Sequence, residues 1–332
     1  MKVGTITRDG RETLIAAVSD TEGVTLSDAY AAAGLGEAPS TMQALIEAGP
    51  NEATRAAGAV LAAPGAVRFP LYGLDWRAPQ TRPTKFIGVA INNKGTRKEV
   101  HFPTPAPNYF LKAPSCLLGH NHSIVVEEHY GQTIPELELA AVIGKRAWKI
   151  PPEQALDHVF GYSIANDITS HGLKFGMDSL ATTRPAELVK PHHLSWRKTH
   201  GPDDTDVFFV YHTRSKATDT FGPMGPWITT TDEIADPNDL TIEAFVDGEP
   251  FAADNTSNLS FSVETVISDA SQWFTLEPGD IIIFGTTAKG VGKYPHGHRQ
   301  IDLHTRACTI DTDIQGLGRL SNSVVHRWED AV

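Results

Sequence analysis

The chain has 332 residues, 40% of them hydrophobic and 20% charged, with a formal net charge of −12 when histidine is neutral. That length exceeds one small domain and supplies a sizeable core, while the acidic balance speaks against nucleic acid or anionic membrane as a partner. Cys116 and Cys308 stand far apart and make neither a disulfide framework nor a thiolate metal site.

The opening "MKVGTITRDG" has no apolar signal core, and no apolar run approaches the length of a membrane span, so the expectation is a cytoplasmic protein. Residues 1–80 read as a small α/β domain. "KVGTITR" and "TLIAAVSD" form a hairpin turned at Asp9-Gly10, and helices follow around "LSDAYAAAG" and "TMQALIEAGPNEATRAAGAVLA". "LDWRAPQTRPTK", residues 74–85, carries two prolines and four charges and reads as the seam with a larger domain over 81–332.

From Phe86 onward come short β-like runs: "FIGVAI", "SIVVEE", "LELAAVIG", "GYSIANDI", "TIEAFVDGEPF" and "DIIIFGT". Helical patterns are few, chiefly 153–159 and 260–273. Strands and helices do not alternate regularly, which disfavours a parallel doubly wound sheet and predicts an α+β, mostly β fold with long functional loops.

"PELELAAVIG", residues 135–144, carries the most chemistry. Glu136 and Glu138 are two apart, so on a strand they share a face, while Leu137 and Leu139 turn to the other side. Two carboxylates on an inward-running strand repel each other and lose hydration, and a cation relieves both. Asp167, at the end of "GYSIANDITS", adds a third. Three oxygen ligands without thiolate point to a hard ion, Mg²⁺ or else Mn²⁺ or Ca²⁺, with open positions where a 2-keto acid chelates. A Glu-x-Glu on a solvated strand face is the competing reading. His192-His193 and the pair His296 and His298 lack a metal-site frame and read as loop residues. "GTTAKGVGKYPHG", residues 285–297, fails the phosphate-loop pattern because Val291 follows Gly290 where lysine is required.

Seven segments in register resemble the fumarylacetoacetate hydrolase (FAH) family over roughly residues 84–310: "FIGVAIN", "NYFLKAPSCLLG", "ELELAAVIGK", "VFGYSIANDIT", "KATDTFGPMGPWI", "NTSNLSFSVETVIS" and "EPGDIIIFGTTAKGVG". The resemblance implies a mixed β-roll, a homodimer, and a divalent cation on Glu136, Glu138 and Asp167. It places Lys216 near the metal, holding a substrate carboxylate or developing enolate, and Thr286 as a donor to substrate carboxylate. Many members carry a lid with tyrosine, histidine and glutamate. Here Asn93 stands at the tyrosine position, Thr96 at the histidine and Glu99 at the glutamate, so Glu99 is the surviving candidate base, with His101, His120 and His122 as substitutes. Substrate selection falls to loop positions such as Tyr109, His171 and Met177.

The implied activity is metal-dependent C–C bond hydrolysis of a 2,4-diketo or acylpyruvate-type acid, with a small anionic keto acid as the partner. The alternatives are a lyase or isomerase (decarboxylase, dehydratase or tautomerase) on a related 2-keto acid, and a non-catalytic metal-dependent keto-acid binder. Loss of the lid histidine favours the lyase and isomerase class more than hydrolysis.

Overall fold

Asp9 and Gly10 take φ of 51° and 73°, the left-handed values a type I′ turn requires, and fold Lys2–Arg8 back on Arg11–Ala17 with Arg8 opposite Arg11. The computed structural model describes residues 1–62, 65–287 and 289–328. In it this hairpin continues into one large sheet. Across that sheet run Arg68–Pro70, Glu22–Thr25, Arg11–Ala17, Lys2–Arg8, Ile228–Thr230, Val159–Asn166, Leu137–Ile143, Ile281–Ile283, Phe86–Ala90 and Asn108–Lys112. Neighbours are antiparallel except Ile281–Ile283 and Phe86–Ala90, which run parallel. A second sheet holds Glu249–Asn255, Thr241–Val246, Thr309–Ile314, Gly318–His326 and Ile124–Val126. This is the α+β, mostly β architecture that the irregular strand spacing predicts.

Helices cover both faces of the large sheet. Leu26, Tyr30, Leu45 and Ile46 from the early helices pack with Val3, Ala140, Val142, Ile281 and Ile283. On the other face Val263, Val266 and Ile267 of the helix Val263–Trp273 meet Leu139, Ala141, Ile143 and Ile164. That helix starts where the Ser262 side chain accepts the Thr265 N–H. The helical pattern over 41–62 resolves into two helices, Met42–Glu47 and Pro50–Ala62. Gly49 takes φ 84° after the first, and Pro50, with no N–H, is tolerated only at the start of the second.

The expected seam, 74–85, is tied into the sheet. Trp76 pairs with Ile6, and Thr84 Oγ1 and the Lys85 N–H donate to the buried Asp280 carboxylate at 2.6 and 2.7 Å. The strands of residues 1–80 therefore share one sheet with those of 81–332, through Lys2 opposite Thr229 and Val3 opposite Ile228. Among the described residues no helix is long and apolar enough to cross a membrane.

Candidate active site

The strand Leu137–Ile143 is buried along its whole length, and alternate residues enter opposite cores. Its register with Val159–Asn166 sets Leu137 opposite Asn166 and Glu138 opposite Ala165. One step further, Glu136 lies opposite Asp167, whose N–H donates to the Glu136 carbonyl at 2.6 Å. Residues two apart share a face, and directly opposed residues of an antiparallel pair share one too. Glu136, Glu138 and Asp167 thus gather at one end of the sheet, with Glu138 and Asp167 buried and Glu136 partly so.

Two lysines meet them. Lys112, the last residue of Asn108–Lys112, donates from Nζ to Asp167 Oδ1 at 2.5 Å and to the Phe221 carbonyl at 3.1 Å. Lys216, on the short helix Thr213–Ala217, donates to both Glu136 Oε2 and Asp167 Oδ2, with its ammonium 4.7 Å from the centre of the Phe110 ring. Sequence reading placed Lys216 near the metal and missed Lys112. The available signal was phase: Lys112 is two residues from Phe110, which packs on the core, whereas Leu111 between them is exposed.

Three carboxylates against two ammoniums leave one negative charge over. Burial alone would raise the Glu136 carboxyl, but the charges of Lys216 and His298 and hydrogen bonds from Lys216 and Thr169 bring it down to about 2. Glu138 goes the other way. Burial, then the nearby charges of Asp167 and Glu136, push its carboxyl well above the ordinary range, against Lys216 and a 2.6 Å hydrogen bond from the Gly285 N–H. A buried carboxylate so placed takes a proton or a cation. The hard oxygen donors and the surplus charge fit a divalent cation. Among the described residues, no three acidic, imidazole or thiol groups stand arranged around one point, and Lys216 lies between Glu136 and Asp167.

Glu136 forms part of the wall of a cavity of about 420 Å³ whose other sides include Thr96, Glu99, His101, His171, Thr286 and His298. The lid segment starts where Asn93 accepts the Gly95 N–H at 2.8 Å, capping the one-turn helix Lys94–Arg97. Asn93 also donates to Asp254 at 2.9 Å. Thr96 Oγ1 is turned onto the Asn93 carbonyl at 3.0 Å. Glu99 accepts from Arg299 Nη1 with both oxygens, at 3.0 and 3.1 Å. Among the described residues the Thr286 hydroxyl reaches the Thr287 carbonyl, at 3.5 Å.

Other expected positions lie elsewhere. Tyr109 is not among the residues lining this cavity. Its hydroxyl donates to Asp269 at 2.9 Å on the helix Val263–Trp273, and its ring meets Phe274 edge-on. Met177 is exposed and also outside the lining. His120 packs against Trp76, and His122 pairs with Asp75 at 2.9 Å.

His298, which reads in sequence as a loop residue, is buried in the cavity wall on the short turn Gly297–Gln300. Burial lowers its pKa, with Arg299 and Lys216 acting the same way and Glu136 opposing. No periodicity marks it, because an irregular loop delivers it.

A profile of the fumarylacetoacetate (FAA) hydrolase C-terminal domain matches residues 85–325. The chain belongs to the fumarylacetoacetate hydrolase family. An uncharacterized protein of Pyrococcus abyssi is 35% identical over 247 residues, 74% of this chain and 92% of that protein. The mitochondrial oxaloacetate tautomerase FAHD2A of Bos taurus is 30% identical over 288 residues, 86% of this chain and 80% of that one. Among solved structures, maleylpyruvate hydrolase from Sphingobium sp. SYK-6, in complex with manganese(II) ion and pyruvate, matches with a TM-score of 0.70 at 26% identity, covering 98% of this chain and 99% of its own.

Proposed function

We propose that this chain is a divalent-metal-dependent enzyme that enolises a 2-keto acid, acting as a keto–enol tautomerase or isomerase on a substrate of the oxaloacetate type. The observation that carries this is the lid. Glu99 has an arginine on both its oxygens, threonine stands at position 96 where many family members carry the lid histidine, and the Thr96 hydroxyl is turned onto backbone. Hydrolysis needs a group that activates water, whereas enolisation needs only charge stabilisation and a proton carrier. The similarity to an oxaloacetate tautomerase supports the same reading.

Glu136, Glu138 and Asp167 would hold the cation, Mg²⁺ or Mn²⁺ by donor chemistry. When bound, that cation supplies positive charge for the carboxylate and keto oxygen of a 2-keto acid. Lys216 adds a second charge beside the developing enolate, and Lys112 holds Asp167 in place in the protein interior. Thr286, whose hydroxyl makes a long contact with the Thr287 carbonyl, would donate to the substrate carboxylate.

Cleavage of a C–C bond in an acylpyruvate is the second reading, favoured by Glu99 and His101 in the cavity wall. Incubation of the Mn²⁺- or Mg²⁺-loaded protein with oxaloacetate and with acylpyruvates in ¹⁸O-labelled water separates the two. Enolisation gives faster keto–enol equilibration and no new carboxylate, whereas hydrolysis places solvent oxygen in a new carboxylate. Label in the carboxylate of a cleavage product without faster equilibration would overturn the tautomerase reading. Binding without turnover of either class would leave a keto-acid binder.

A further inference from the structure

We infer, resting on the enolisation reading above, that the substrate is a 2-keto dicarboxylic acid and that Arg299 selects it by taking the carboxylate remote from the keto group.

Among the described residues Arg299 is the only lysine or arginine in the cavity wall. Its side chain is 43% exposed against 18% for Glu136, so the arginine stands nearer the mouth and the carboxylate cluster nearer the floor. Lys216 meets Glu136 at that inner end. A keto acid that enters with its keto carboxylate toward Glu136 and Lys216 therefore turns its far end toward Arg299.

A guanidinium carries five N–H donors, one on Nε and two on each Nη. Glu99 engages Nη1 alone, which donates to its two oxygens at 3.0 and 3.1 Å. Nε and Nη2 have no acceptor among the described residues. Those two nitrogens form the planar fork that matches a carboxylate. Arg319 shows the pairing within this same chain: its Nε and Nη2 donate to Asp313 Oδ1 and Oδ2 at 2.7 and 2.6 Å. The corresponding edge of Arg299 is left for an anion in the cavity while Glu99 stays on Nη1. An exposed ion pair adds little to stability, so folding alone gives small reason for an arginine here. Glu99 instead orients the guanidinium for a second carboxylate.

The backbone beneath Arg299 is braced. The glycine-rich stretch does not cradle phosphate but folds tightly on itself. A Cβ on Gly290 would lie 2.0 Å from the Tyr294 carbonyl oxygen and 2.5 Å from the Gly297 nitrogen, and Gly297 takes φ 57°. The His296 N–H donates to Gln300 Oε1 at 2.8 Å, and the Arg299 N–H donates to the His296 carbonyl at 3.3 Å. A turn fixed in this way lowers the ordering cost of binding.

Oxaloacetate and its 4-methyl ester differ in the charge of the far carboxylate and little in shape. The full chain loaded with Mn²⁺ is assayed for keto–enol equilibration of both compounds, as wild type, Arg299→Leu and Arg299→Lys. Wild type should favour oxaloacetate over the ester by about 30-fold or more in kcat/KM, the scale of hydrogen bonding to a charged group. Arg299→Leu should lose that preference. Its kcat/KM should fall about 30-fold on oxaloacetate, chiefly through KM, and stay within about threefold on the ester. Arg299→Lys keeps the charge and lacks the fork, so it should fall between. Calorimetry on the Mg²⁺-loaded proteins should give the same order of affinities. Equal losses on both compounds in Arg299→Leu would mean that the arginine acts only by holding the lid, and would overturn the inference. A wild type indifferent to the far charge in both rate and affinity would do the same. A wild type that equilibrates neither compound, yet binds oxaloacetate more tightly than the ester through Arg299, would instead count against the enolisation reading and leave the selection by Arg299 standing.

Discussion

Lys112 Nζ lies 2.5 Å from Asp167 Oδ1, and neither side chain is exposed to solvent. A buried ion pair of this kind holds its geometry because each partner alone would be an uncompensated charge. Breaking one typically costs about 3–5 kcal/mol. Lys112→Met should lower the free energy of unfolding by that order, measured by urea denaturation of the metal-free protein. A loss under about 1 kcal/mol would mean that Lys216 alone neutralises Asp167.

Glu138→Gln should lower metal affinity and Lys216→Met should not. The first removes a charged ligand whose carboxyl is held up by burial and by Asp167 and Glu136. It should cut Mg²⁺ or Mn²⁺ affinity by 10-fold or more, with the metal-free protein no less stable. The second removes the ammonium that competes with the cation for Glu136 and Asp167. It should preserve or raise metal affinity while turnover drops by about two decades, roughly 3 kcal/mol of lost electrostatic stabilisation. Calorimetry on both variants checks this, and equal affinities in Glu138→Gln and wild type would remove Glu138 from the ligand set.

Thr96 and Glu99 lie on one turn of the lid, with the Glu99 N–H donating to the Thr96 carbonyl at 3.1 Å. Residues three apart on a helical turn share a face, so Thr96→His would set an imidazole beside Glu99. Cleavage of an acylpyruvate should then rise at least 10-fold, and Glu99→Gln in that background should remove the gain. Steady-state rates at saturating Mg²⁺ decide. No gain in Thr96→His would show that this lid cannot host a water-activating pair.

His120 accepts the Ser321 N–H on Nδ1 at 3.0 Å and meets the Trp76 ring edge-on at 5.8 Å. Burial lowers its pKa from 6.5 to about 4, with His122 adding and Asp311 opposing. As pH falls the unfolded chain takes up the proton first. Its stabilising contribution is therefore intact above about 6.5 and is lost between about 6.5 and 4, a loss on the order of 3 kcal/mol at most. His120→Asn keeps an acceptor for Ser321 and removes the titration. Unfolding free energies at pH 7.5 and 5 should differ less in the variant, and an equal difference would assign the acid sensitivity to other groups.

The carboxylate end of the sheet was legible because strand period is local information. Glu136 and Glu138 two apart, and Asp167 just past an apolar run, follow from spacing alone. Lys112 and His298 were not legible: Lys112 is buried by a partner distant in sequence, Asp167, and His298 is delivered to the cavity wall by an irregular loop that has no periodicity. The split of the 41–62 helix was written in Gly49-Pro50. The union of Lys2–Arg8 with Ile228–Thr230 was not, since nothing in either strand names its neighbour. Thr96 and Glu99 could be placed on one lid turn from their spacing, but the arginine that takes Glu99 comes from the far end of the chain.

That union has a practical consequence for anyone trimming the gene to the part that matches the family. Residues 85–325 hold the whole family match, yet Ile228–Thr230 is an interior strand only because Lys2–Arg8 lies along it. A fragment beginning near residue 81 would bare a row of unpaired backbone groups on that strand. It would also strip Leu26, Tyr30, Leu45 and Ile46 from Ala140, Val142, Ile281 and Ile283. An open edge beside an uncovered apolar face invites other chains to add on, so such a fragment should be recovered as aggregate rather than as a minimal enzyme.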